Sequence, residues 1–80
     1  MRRQEIYGEK HGMAVGFDDV FGGFIQVWKL KTPYCREEPD VDNIVLDEDG
    51  LIGNDFLARR DELVPKYLGK DWEKLPIQRS

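Results

Sequence analysis

Eighty residues, 40% apolar and 35% charged, suffice for one modest core and exclude a second domain, so residues 1–80 read as a single unit. Twelve basic residues against sixteen acidic ones leave a net charge of -4, which argues against a general nucleic-acid binder held by phosphate neutralisation. One cysteine and one histidine exclude an internal disulfide and a self-contained Cys/His zinc site.

No apolar run is long enough to span a bilayer, and Met1-Arg2-Arg3-Gln4-Glu5 leads into no apolar leader, so neither membrane insertion nor export is expected. A reducing cytoplasm is the expected compartment for a chain with a single thiol.

In chain order, Glu5 to Tyr7 reads as a short strand before Gly8. Met13, Val15 and Phe17 then alternate with Ala14 and Gly16, and Phe24 to Leu30 is rich in aromatic and β-branched residues. Both segments predict strands. Between them Asp18-Asp19-Val20-Phe21-Gly22-Gly23 supplies turn formers, so the two pair as an antiparallel hairpin. Residues 32–40 are a loop bracketed by Pro33 and Pro39. Asn43 to Leu46 is a further strand, and Asp47-Glu48-Asp49-Gly50 reads as a turn before Leu51-Ile52, which would make a second, smaller hairpin.

From Asn54 the period changes to that of a helix. Asn54 is the expected N-cap, Asp55 suits the positive end of the helix dipole, and Phe56, Leu57, Leu63, Val64, Tyr67 and Leu68 form one stripe closed by Gly69. Pro65 removes a hydrogen bond to Asp61 and predicts either a kink or two short helices meeting near residues 61–65, with helical structure resuming after the bend because the stripe continues there. In residues 70–80, Trp72 and Leu75 dock and the remainder frays. The expected fold is therefore α+β: an antiparallel sheet of three or four strands with the C-terminal helix across one face. Met13, Val15, Phe17, Ile25 and Val27 form the sheet's share of the core.

The catalytic inventory is thin. Thr32 and Ser80 are the only aliphatic hydroxyls, so no Ser-His-Asp triad is expected. Cys35 with His11 lacks any signature context, Cys35 reads as a loop thiol, and His11 beside Gly12 reads as a turn residue. Aligning Gly50 with the glycine of a calcium loop puts Val45 and Phe56 at ligand positions, so that pattern fails. Asp18-Asp19 is explained by turn chemistry, and Gly22-Gly23 lacks the Lys-Ser/Thr of a phosphate loop. Arg59 and Arg60 read as a solvated helix face paired with Glu62, Asp55 or the acidic residues before them. Neither cofactor nor metal is expected.

Charge distribution is the most informative feature. Residues 1–36 and 59–80 each sum to +2, whereas residues 37–58 carry eight carboxylates and no lysine or arginine. A carboxylate rim around an aromatic patch is how a small protein would occupy a basic groove built for phosphates. Glu37, Glu38, Asp40, Asp42, Asp47, Glu48 and Asp49, with Trp28 and Tyr34 nearby in sequence, are thus the candidate partner-binding residues. The expected partner is a basic surface of a larger protein or nucleoprotein complex, with no direct contact to nucleic acid or membrane, and the chain itself a monomer or homodimer.

An acidic block from Glu37 to Asp55 on one small α+β domain without catalytic residues resembles the small acidic inhibitors of phages and mobile elements, of which anti-CRISPR proteins are the best-known group. That resemblance is one of profile, without a sequence motif. It implies a non-enzymatic inhibitor that docks on a nucleic-acid-handling complex, such as a CRISPR effector. The alternative is an accessory domain that assembles through a strand face bearing Phe24, Trp28 and Leu30, with an enzyme using Cys35 third.

Overall fold

The computed structural model describes residues 2–20, 22–75 and 77–79. Phe21, part of the expected turn, and Ser80 lie outside the described residues. The strands are β1 (Arg2–Tyr7), β2 (His11–Asp18), β3 (Gly22–Lys29), β4 (Ile44–Leu51) and β5 (Ile77–Arg79), and the helix is α1 (Asn54–Leu68). They form one antiparallel sheet in the order β4-β3-β2-β1-β5. The chain is α+β, as its periodicities require. The expected hairpin is present with Met13 opposite Val27 and Val15 opposite Ile25.

Alternation divides the sheet into two faces, and both are covered. On the helix side, Met13, Val15, Ile25 and Val27 are buried against Leu63 and Val64 of α1. Each such side chain contributes roughly 1.5 to 3 kcal/mol by leaving water. On the other side Tyr7, Ala14 and Trp28 form a second cluster, flanked by Phe24, Leu30 and Ile44. The loop after β3 closes over it, because the Trp28 indole Nε1–H donates to the Glu37 carbonyl at 2.8 Å and the Tyr34 amide donates to the Gly8 carbonyl at 2.9 Å. Gly12 lies directly beneath the indole, where a Cβ would stand 2.7 Å from the ring.

Five expectations need correction. Asp47-Glu48-Asp49-Gly50 is no turn: β4 runs through it, pairing Asp47 with Gln26 and Glu48 with Ile25. Two residue steps on β3 from Gly23 to Ile25 face three on β4 from Leu51 to Glu48, and Gly50 at φ 70° takes the left-handed conformation that this bulge demands. His11 is also no turn residue; it begins β2 and packs edge-on against Tyr67, with ring centroids 5.2 Å apart. Asn54 is inside the helix rather than capping it, since Gly53 precedes the first turn and no side chain caps it. Phe17 and Leu57, expected in the core, are 43% and 44% exposed: Phe56 takes the helix position packed against the core, which turns Leu57 next to it outward, and Phe17 near the hairpin turn meets that same Phe56 ring edge-on. The tail adds to the sheet, with Ile77 opposite Ile6 and Arg79 opposite Gln4.

Helical structure does resume after Pro65, as expected, but as one continuous helix rather than two short ones, and it ends at Gly69, whose amide donates to the Pro65 carbonyl at 3.0 Å. Burial of Leu63 and Val64 on the near side of the proline, and docking of Tyr67 and Leu68 on the far side, offset the lost backbone bond.

Candidate functional site: an acidic edge strand and its loop

Strand β4 is one edge of the sheet, paired only with β3, and the loop before it carries the rest of the acidic block. The structure separates the seven candidate carboxylates into two groups. Glu37, Asp40 and Glu48 are engaged by the fold. The Glu37 carboxylate accepts from the Lys31 amide at 2.8 Å while its carbonyl holds Trp28. Asp40 organises the turn into β4: its carboxylate accepts from the Val41 amide at 2.6 Å, and its carbonyl accepts from the amides of Asn43 and Ile44, both at 3.1 Å. Glu48 points to the helix side of the sheet and is held by Arg59. That guanidinium keeps the Glu48 carboxyl below its ordinary range by hydrogen bonding, partly offset by burial.

Glu38, Asp42, Asp47 and Asp49 form the second group. All four are exposed, and none makes an ion pair among the described residues. In β4 the cause is alternation: with Leu46 and Glu48 turned toward α1, Asp47 and Asp49 must face the opposite way. Val41 at 87% exposure and Val45 at 40% lie between these carboxylates along the chain. Val45 is displaced outward because the step from Leu46 to Ile44 opposes the single step from Val27 to Trp28. The two valines were not singled out by sequence. Val41 flanked by Asp40 and Asp42 was the available signal; the bulge at Val45 had none.

The two candidate aromatics separate as well. Tyr34 is exposed at 59% and adopts a positive φ of 61°, a conformation uncommon outside glycine. Trp28 is corrected: it is wholly buried, edge-on to Tyr7 with ring centroids 6.1 Å apart, and therefore cannot be a contact residue. The same burial removes the centre of the strand face formed by Phe24, Trp28 and Leu30, because the loop after β3 already occupies it.

The remaining chemistry-bearing residues stand apart from this edge. Cys35 is an exposed free thiol in the loop. The His11 imidazole is engaged with Tyr67, and its pKa is lowered by burial and by the Lys29 and Lys10 ammonium groups. Arg59 bonds to Glu62 as well as to Glu48, and Arg60 lies 3.5 Å from Asp61, so both arginines are tied to neighbouring acids. Asp18 accepts from the Val20 amide at 2.8 Å, the turn role expected of it. Among the described residues no group of three or more His, Cys, Asp and Glu is arranged to hold a metal ion, and no helix is long and apolar enough to cross a membrane.

No family model matches the chain, no curated protein matches it, and no solved structure matches its fold.

Proposed function

We propose that this protein is a non-enzymatic binding protein that docks its acidic edge on a basic, nucleic-acid-binding surface of a larger protein or nucleoprotein complex and so blocks it. The observation that carries the reading is the set Glu38, Asp42, Asp47 and Asp49: four exposed carboxylates without cationic partners among the described residues, interleaved with exposed Val41 and Val45. Unpaired carboxylates steer such an encounter, and adjoining apolar side chains and Tyr34 supply area that excludes water. The profile resemblance to phage-borne acidic inhibitors makes a CRISPR effector one candidate for the complex that is blocked, and it suits a cytoplasmic setting.

The test is a titration against a partner captured from the native host, at low and at high salt. Electrostatic docking weakens steeply with salt, and Asp47→Asn combined with Asp49→Asn reduces affinity at least about tenfold at low salt. Salt-insensitive affinity that the double variant retains would overturn the proposal.

A further inference from the structure

At the other end of the β2–β3 hairpin from its turn, the residues on either side of a strand junction line an open, solvent-facing cavity of about 300 Å3. His11 opposes Lys29 in the register, and the ladder extends one step further, because the Leu30 amide donates to the Lys10 carbonyl at 2.9 Å. Lys10, Lys29 and Lys31 line this cavity with His11, while Leu30 and Pro33 supply apolar wall and Glu9 the single carboxylate. Lys29 ends β3 and Lys31 follows just beyond it, on either side of Leu30, which also packs against the cluster around Trp28.

None of these three ammonium groups makes an ion pair among the described residues, although acidic side chains outnumber basic ones in the chain. Gathering three like charges around one cavity with Glu9 as the single counter-charge in its wall is unfavourable, and the neighbouring imidazole feels two of them: after burial, Lys29 and then Lys10 lower its pKa. From the helix side the imidazole meets the Tyr67 backbone, with Lys66 lying 5.5 Å from the Tyr67 ring centre.

We propose that this cavity is a binding site for a phosphate-type oxyanion, held by Lys10, Lys29 and Lys31 with His11 in its wall. Lysine binds phosphate oxygens as a mobile point charge, and three such groups set against the Glu9 carboxylate leave the charge that a dianion balances. The volume lies at the small end of the range for ligand pockets, which suits one or two phosphoryl groups. The site shares no residue with the acidic edge and stands whether or not that edge docks on a partner.

The test is a proton NMR titration of His11, the sole imidazole, in the full chain at low ionic strength. Inorganic pyrophosphate is one probe and adenosine diphosphate the other. Binding gives a saturable shift and raises the His11 pKa by about half a unit or more, because the added anion favours imidazolium. The Lys29→Gln/Lys31→Gln variant loses at least about tenfold in affinity, and Lys70→Gln, outside the cavity, keeps the parental value. Equal affinity for the two probes identifies the phosphoryl groups as the whole ligand, whereas tighter binding of the diphosphate ester identifies a nucleotide. Should the double variant fold poorly, Lys10→Gln must lower the affinity in its place. A response no larger than that to sodium chloride of equal ionic strength, or unchanged affinity in the lysine variants, would overturn the proposal.

Discussion

The Arg59 guanidinium grips both oxygens of the Glu48 carboxylate, Nε at 3.0 Å from Oε1 and Nη2 against Oε2, and so clamps helix α1 to edge strand β4. Nη1 adds a bond to Glu62 at 2.8 Å. Glu48 therefore belongs to the fold while Asp47 and Asp49 on either side of it do not. Glu48→Gln is expected to lower the melting temperature by roughly 2 to 5 °C, the pair being partly exposed, and Asp47→Asn to leave it unchanged. Equal melting temperatures for both variants would show that the clamp contributes nothing.

That clamp also sets an acid dependence. The Glu48 carboxyl is lowered from 4.5 in the folded state, so the unfolded chain binds the proton more readily. The stabilisation is present in full above about pH 4.5 and is lost as pH falls through the lower folded value. Acid denaturation of Glu48→Gln is expected to lack this component, which paired unfolding curves at several pH values below neutrality would reveal.

On the opposite face the buried Glu5 carboxylate accepts from the Tyr7 hydroxyl at 2.6 Å, with Arg3 at 3.8 Å. Burial first, and the donation to Glu5 second, push the phenol from 10.0 up to about 12. A raised folded value means that the stabilisation is present below pH 10 and is lost as pH rises through about 12. Tyr7→Phe leaves Glu5 without its nearest donor and is expected to cost about 1 to 3 kcal/mol at neutral pH. Ultraviolet titration of the phenols and denaturant unfolding of the variant check the two halves of this prediction.

Trp28 and Gly12 make a further test on the same face. Because a Cβ at position 12 would stand 2.7 Å from the indole, Gly12→Ala must displace the ring and is expected to cost about 1 to 3 kcal/mol. Trp28→Phe removes the donor to the Glu37 carbonyl, so amide exchange at Lys31, whose N–H is held by the Glu37 carboxylate, should accelerate. Parental stability in the first variant and parental exchange in the second would show that the loop is held by other contacts.

These relationships explain which parts of the molecule were legible in sequence. Met13, Val15, Ile25 and Val27 declare their strands by alternation, and Leu63, Val64, Tyr67 and Leu68 declare the helix on both sides of Pro65. The course of β4 was not legible, because Asp47-Glu48-Asp49-Gly50 has turn composition and only pairing with β3 draws it, bulge included, into the sheet. The role of Trp28 was hidden for a related reason. A strand residue's burial depends on what covers its face, and here the cover is a polar loop whose carbonyl at Glu37 meets the indole N–H. Likewise the acidic block gave its total charge but not its division, since only the direction of each side chain separates Glu48 from Asp47 and Asp49.

Asp47 and Asp49 have a further consequence that needs no partner. Strand β4 presents an unpaired edge, and exposed Val45 on it would favour pairing with a second β4. Two carboxylates beside that edge repel their counterparts in an approaching copy, which opposes such pairing. Replacing both by valine while leaving Glu48 in its clamp removes the repulsion and raises β propensity together. The Asp47→Val/Asp49→Val variant is therefore expected to self-associate more strongly than the parent at the same concentration, as sedimentation velocity would show. Sedimentation of the valine variant identical to that of the parent would mean that the edge is protected by its bulges at Val45 and Gly50, and that the two carboxylates have no part in it.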